Sequence, residues 1–452
     1  MEIGALRTNQ EKRVSSRSED RSGLSGFSVE NLGDADVLAV QDRHYYLDDV
    51  LLEQGFEHEN GYVTATKTAL KTIEVQNGWI VAVLDRPAVQ NDGLPRYSAR
   101  GALMLPAFRD MHIHLDKTFY GGPWRAPLPR KGVTIIDMIA REEELLPGLL
   151  PTSRQRAEAL IDLLLSQGTT TARSHCNIDP VSGLKSLEHL LLALDTRRNA
   201  FACEIVAFPQ HGLLRSGVVS LMREAVAMGV ESIGGLDPTV VDDDMERSLD
   251  TMFQIALDHD KAVDIHLHEM TPSGMAAIHS MIETVEQTPE LKNRLTISHA
   301  VALATLSPEE LEDVAGRMVA QGISVASSVP MWPAYMPLPE LRQFGVTVMG
   351  GTDSVIDHFS PFGTGDMLEK ANFYAKLYRN GDEFGLSRSL SIATGGILPL
   401  ADDGSPAWPA PGDPAEFVLV RCSCSAEAVA RRSPRLAAFH KGRLAFGAVG
   451  KG

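Results

Sequence analysis

Eight short apolar or β-branched runs recur through the middle of the chain, separated by stretches in which apolar residues return at helical spacing. The runs are LMLPAFRDMHIHL, TTTARSHC, FACEIVAFPQ, ESIGGLDP, AVDIHLHE, LTISHA, ISVASSV and VTVMGGTD. Between them lie SRQRAEALIDLLLSQG, SLEHLLLALDTRR, SLDTMFQIALDHD and SPEELEDVAGRMVAQG, most with a Ser or Asp near the start that can cap a helix. Eight strand-then-helix units over about 300 residues predict an α/β fold, a (β/α)8 TIM barrel. An open doubly wound sheet fits less well, because no Gly-rich phosphate loop follows the first strand.

The pattern differs at both ends. From Val37 to Arg100 the runs are β-like without helical intervals, and Asn77-Gly78 between two apolar runs signals a hairpin. After the Pro/Gly-rich linker SPAWPAPGDP come two more β-like pieces, Glu416–Ser423 and His440–Gly447. Segments 37–103 and 404–452 are therefore expected to pair into one small β-sandwich domain flanking a barrel at 104–403. Residues 1–36, polar and serine-rich with no apolar core segment, read as a flexible tail rather than a secretory signal.

Composition narrows the function. The 452 residues carry a net charge of -17 and no long Lys/Arg stripe, which argues against nucleic acid and for a small neutral or weakly charged substrate. No run is long enough for a membrane span. The four cysteines, Cys176, Cys203, Cys422 and Cys424, are too few and too irregular for a disulfide framework, which points to a reducing, cytoplasmic setting. A homo-oligomer stays open.

Candidate chemistry concentrates at predicted strand ends, where barrel enzymes place their reactive groups. His112 and His114, two apart on a strand, share one face, and Asp116 continues their parity. The fifth run ends in His266, His268 and Glu269, the sixth in Ser298 and His299, and the eighth in Asp353. Three histidines and a carboxylate around a divalent cation leave one position for water, whose pKa falls to about 7. Glu269 is placed to move a proton from that water to a leaving nitrogen. Gln210 offers donor and acceptor groups to an amide or heterocycle edge, and Lys117 and His268 aim charge or protons at the same mouth. Asp237 is a substrate contact or a loop cap. Trp124, Met331 and Trp332 wall the cavity or pack loops. Cys176, beside His175, reads as a small buried residue.

These residues are similar to those of the amidohydrolase superfamily, in the branch holding bacterial cytosine deaminase and N-isopropylammelide isopropylamidohydrolase. The likeness rests on PAFRDMHIHLDKTF, TTTARSH, IVAFPQHG, IGGLDP, VDIHLHE, TISHA and GGTDSVIDHFSPFGTGDM. It implies metal ligands at His112, His114, His266 and Asp353, with one Zn (alternatively Fe or Mn). It also implies a proton shuttle at Glu269, a second acid/base role for Asp353, contact of His299 with substrate or attacking water, and ring binding by Gln210. No lysine in ESIGGLDP suits a carbamylated bridge between two metals. Ser354 stands where cytosine deaminases usually carry a second Asp, and Phe359 near where they carry Trp. Lys117 and His268 match the triazine enzyme, whereas Glu269 matches the deaminases.

The expected function is hydrolysis of a C–N bond, by deamination or dealkylamination, in a heterocycle such as a pyrimidine or triazine. The alternatives are hydrolysis of a cyclic or acyclic amide and, from another class, a non-catalytic barrel serving as a binding scaffold.

Overall fold

The structure, a computed structural model, describes residues 42–85, 93–129, 131–330 and 335–451. The expected tail at 1–36, and Met331 and Trp332, lie outside the described residues. The first strands are β1 (His44–Glu59), β2 (Tyr62–Gln76), β3 (Trp79–Asp85), β4 (Arg96–Ser98) and β5 (Leu103–Pro106). Asn77 and Gly78 both have positive φ, 52° and 88°, so the β2–β3 connection is the left-handed two-residue turn its sequence signals.

The barrel strands follow: β6 (Phe108–Ile113), β7 (Thr169–Asn177), β8 (Ala202–Phe208), β9 (Ser232–Leu236), β10 (Ala262–His266), β11 (Leu295–Ser298), β12 (Ser324–Ser327) and β13 (Val348–Gly350). They pair in parallel and in sequence order. Closure between the last and the first comes just beyond β13, where Asp353 bridges Ile113: its N–H donates to the His112 carbonyl (2.7 Å) and its own carbonyl accepts from His114 N–H (3.3 Å). The strand ends that close the barrel are thus the ones that carry three candidate ligands. Gly351 permits this approach, since a Cβ there would lie 2.5 Å from that of His112.

Helix α1 (Ile135–Leu149) is an insertion after β6 and precedes the crossover helix α2 (Ser153–Ser166). Thr134 and Asp137 form a reciprocal capping box that starts α1. The other crossovers are α3 (Lys185–Arg197), α4 (Val219–Ala227), α5 (Met245–Asp258), α6 (Ser273–Gln287), α7 (Pro308–Gln321) and α8 (Leu338–Gln343), with α9 (Met367–Leu377) after β13. Alternation along the strands separates two environments: Val263 and Ile265 of β10 join the apolar layer under the helices, while Asp264 and His266 take the opposite parity.

The C-terminal strands β14 (Phe417–Val420), β15 (Arg435–His440), β16 (Arg443–Gly447) and β17 (Gly450–Lys451) join β1–β5 in a nine-stranded sheet, ordered β16-β15-β14-β5-β1-β2-β3 with β4 and β17 alongside. The chain ends meet where β14 runs antiparallel to β5. One expectation changes here: LMLPAFRDMHIHL is not a single strand. Leu103–Pro106 pairs with the outer sheet and Phe108–Ile113 with the barrel, the chain switching sheets at Ala107. Buried residues run through both pieces, with Pro106, Ala107 and Phe108 apolar across the switch, so periodicity alone shows no break.

Candidate active site

The carboxyl ends of the barrel strands open into a cavity of about 630 Å³. Its floor is a cluster of buried imidazoles. His112, His114, His266 and His299 are each at most 5 % exposed, and the His112 ring centroid lies 4.6 Å from that of His266 and 4.7 Å from that of His299. Burial drives the pKa of His114, His266 and His299 well below the ordinary histidine value, so these rings are neutral.

Hydrogen bonds fix which nitrogen carries the proton. Nδ1 of His114 faces the His175 carbonyl at 3.1 Å, which can only accept, so Nδ1 bears the hydrogen and Nε2 presents a lone pair. Ser298 Oγ donates to Asp264 Oδ1 at 2.6 Å and therefore accepts from His112 Nδ1 at 2.9 Å, leaving Nε2 of His112 bare as well. Each Nε2 stands 3.6 Å from Asp353 Oδ1, and His114 Nε2 stands 3.3 Å from His266 Nε2.

The Nε2 lone pairs of His112 and His114, both aimed at the Asp353 carboxylate, repel it unless a cation lies among them. Two nitrogens bound to one tetrahedral zinc, at about 2.0–2.1 Å each, stand about 3.3–3.4 Å apart, which is the separation found. His112 Nε2 is also a buried polar atom with no hydrogen-bond partner among the described residues. His112, His114 and Asp353 offer ligand atoms close enough together to hold one divalent cation, and His266 Nε2 adjoins them beside His114.

A second layer supports it. Asp264 reaches His112 through Ser298, and Arg173 Nη1 donates to its other oxygen at 3.0 Å. Such partners hold ligand rings in orientation and tautomer. Sequence reading passes over Arg173, Asp264 and His175. Parity could have found them, since Arg173 and His175 alternate inward on β7 and Asp264 shares the face of His266. His175 is fully buried with neither ring nitrogen hydrogen-bonded among the described residues, 4.3 Å from His112 and 4.5 Å from His266 between ring centroids. It forms a second candidate ligand set with those two rings.

Asp116 turns away from the cluster. Its Oδ2 accepts from Asn177 N–H at 3.1 Å, and burial pushes its pKa up to about 7. Cys176 is fully buried with its thiol pushed up by desolvation, an inert setting; all four cysteines are free.

Around the floor stand the rim residues. Lys117, Gln210, His268 and Ser354 line the cavity with Asp353. Lys117 is 2 % exposed, not a surface lysine: its ammonium donates to Gln210 Oε1 and faces Glu142 of α1 at 3.6 Å. Glu142, also buried, accepts from His211 Nε2 at 3.1 Å and lies 3.8 Å from His358 Nδ1. One inserted carboxylate thereby ties α1 to the loops after β6, β8 and β13.

His268 donates to Asp237 Oδ2 at 2.9 Å, while its backbone N–H donates to Oδ1. Burial opposes the imidazolium, but Asp237 outweighs it and raises the His268 pKa. Asp237 thus serves a cavity side chain as well as its own turn. Asp237, His299 and Asp353 have positive φ, 36°, 69° and 65°, a left-handed backbone uncommon outside glycine that Asp and His adopt more readily than most residues.

Glu269 is buried. Its Oε1 accepts from Thr239 and Val240 N–H at 2.7 and 3.0 Å, Oε2 has no hydrogen-bond partner among the described residues, and the residue does not line the cavity. Trp124, 74 % exposed, borders a separate groove rather than this cavity.

A model of the amidohydrolase family matches residues 97–438. The chain is 60 % identical to the uncharacterized protein YahJ of Escherichia coli (strain K12) over 413 residues, 91 % of this chain and 90 % of that one. It is 29 % identical to the N-isopropylammelide isopropyl amidohydrolase of Pseudomonas sp. (strain ADP) over 286 residues, 60 % of this chain and 68 % of the relative. The crystal structure of N-isopropylammelide isopropylaminohydrolase from Burkholderia multivorans superposes with a TM-score of 0.78 at 28 % identity, covering 89 % of this chain and 98 % of that one.

Proposed function

The chain belongs to the amidohydrolase family, hydrolases of carbon–nitrogen bonds, and from that premise we propose that it displaces ammonia or an alkylamine from a nitrogen heterocycle such as a pyrimidine or triazine. The observation that carries the reading is the convergence of neutral imidazole lone pairs and one carboxylate at 3.3–3.6 Å on the cavity floor. Bound by His112, His114, His266 and Asp353, a divalent cation, zinc ahead of iron or manganese, supplies an acidified water at neutral pH.

The side chains supply the rest. Gln210, with its amide oxygen held by Lys117, turns its NH₂ to an acceptor on the ring edge; Ser354 and His268 contact the ring opposite. His299 orients the substrate or the attacking water. A C–O bond forms at the ring carbon as the C–N bond breaks, and the water's proton passes through Glu269, with Asp353 as the second carrier, to the leaving nitrogen. The free, buried Oε2 of Glu269 is the atom suited to that transfer. A second assignment of the shuttle is favoured by the cavity lining: the His268–Asp237 pair faces the substrate space and Glu269 does not.

The test is a panel of aminopyrimidines, aminotriazines and pterins assayed for ammonia or amine release by zinc-reconstituted protein. Ring opening to a carboxylate would instead mark a cyclic amidase, and silence across the panel would refute the heterocycle reading. Glu269→Gln should lower turnover by about 10²–10⁴ with metal retained. Full turnover in that variant together with its loss in His268→Asn would transfer the role to the His268–Asp237 pair.

A further inference from the structure

The rim holds a cation that the mechanism above leaves unused. Lys370, in the first turn of α9, lines the same cavity as His266 and Asp353. Its ammonium donates to the Ser328 carbonyl at 3.1 Å, one acceptor for a group with three donors. Among the described residues it makes no ion pair.

Three nearby acids have cationic partners of their own. Asp366 pairs with Arg435 at 2.8 Å, Glu369 with Arg432 at 2.6 Å, and Asp237 with His268 at 2.9 Å. Lys117 has its own counter-charge in Glu142. Asp353, Asp110 and Glu369 favour the charged form of Lys370, yet desolvation wins and its pKa falls. A cation on the floor would draw on the charge of Asp353 and leave Lys370 still less compensated. Lys370 is half-buried at the cavity wall and spends one of its three donors on the protein, so an anion supplied from outside would complete its contacts.

We propose that Lys370 binds an anionic oxygen of the substrate, so that the heterocycle accepted by this cavity carries either an ionised ring oxygen or a carboxylate. The inference rests on the heterocycle reading above and narrows it. It also departs from the expectation that net charge sets, a neutral or weakly charged substrate: the local field at the rim is cationic although the protein as a whole is acidic. Phe359, Phe362 and Phe373 line the same space and supply apolar walls for the ring faces.

Calorimetric titration of the zinc-loaded full-length protein tests this at neutral pH with three probes: barbiturate, whose ring oxygens share a negative charge; orotate, which bears a carboxylate; and uracil, which is neutral. At least one anion should bind about ten-fold or more tighter than uracil. The anion that does so identifies the source of the charge. Lys370→Met should remove that preference while leaving uracil affinity and zinc content unchanged, and Lys370→Arg should retain most of it. An equal affinity for all three probes, or a preference that survives in Lys370→Met, overturns the role of Lys370 while leaving the heterocycle reading in place. Failure of every probe to bind, uracil included, overturns both.

Discussion

The floor and the rim of this cavity are built differently. Floor groups, His112, His266, Ser298 and Asp264, sit on barrel strands, and their orientation is set by contacts between strands: Ser298 on β11 joins Asp264 on the neighbouring β10 to His112 on β6, which is not a sheet neighbour of either. Rim groups, Lys117, Gln210, His268 and Ser354, follow the strands and are held by loops and by the inserted helix α1 through Glu142 and Asp237. A strand-borne group is fixed by the barrel that every member of such a fold must build, whereas a loop-borne group is fixed by contacts that can change without unfolding the scaffold. On the reading proposed above, the floor would carry the chemistry and the rim would select the substrate.

The most severe way to break that division is to remove a floor ligand. Asp353→Ala takes away a ligand and leaves buried lone pairs with no carboxylate opposite, so the purified variant should hold far less than one equivalent of metal and show no measurable turnover. Metal analysis beside the wild type checks this, and full metal occupancy in the variant would remove Asp353 from the ligand set. A milder break is Ser298→Ala, which cuts the link from Asp264 to His112 without touching the cation. Loss of such a supporting partner costs about 10- to 100-fold in metal affinity. Competition with a chelator reads that shift directly, and an unchanged affinity would show that His112 needs no help.

The same division explains how much could be read from the sequence. Alternation with period two and the strand-end rule place His112, His114, His266 and Asp353 together, because both are local consequences of a strand. Asp264 and Arg173 obey the same parity and were legible in principle, but a charge in mid-strand reads as an exposed face until the strand is known to line a barrel interior. Glu142 was not legible. Its helix was not singled out in the sequence, and its burial against Lys117, His211 and His358 depends on three loops separated by up to about 240 residues of sequence. Lys117 follows the same logic: its position after the His-x-His pair was plain, its burial was not. The sheet switch at Ala107 escaped because apolar residues lie on both sides of it.

Glu142→Gln tests the rim alone. It keeps the shape of the side chain and removes the counter-charge of Lys117, so Lys117 should hold Gln210 less firmly. The expected outcome is a KM raised more than kcat is lowered, with metal content equal to wild type. Loss of metal in this variant would mean that floor and rim are not separable.

The smallest effect expected is a displacement of a pH profile. Asp237 raises the His268 pKa above the ordinary histidine value, against the opposing pull of burial. If protonated His268 contacts the substrate, kcat/KM should fall as pH rises through that elevated value. Asp237→Asn removes the term that raises the pKa and keeps the term that lowers it, so His268 should lose its proton at lower pH and the falling limb should move toward acid. The maximum of the profile need not change much, because the floor groups are untouched. A limb that stays in place would assign the titration to another group and would leave His268 as a neutral hydrogen-bonding contact.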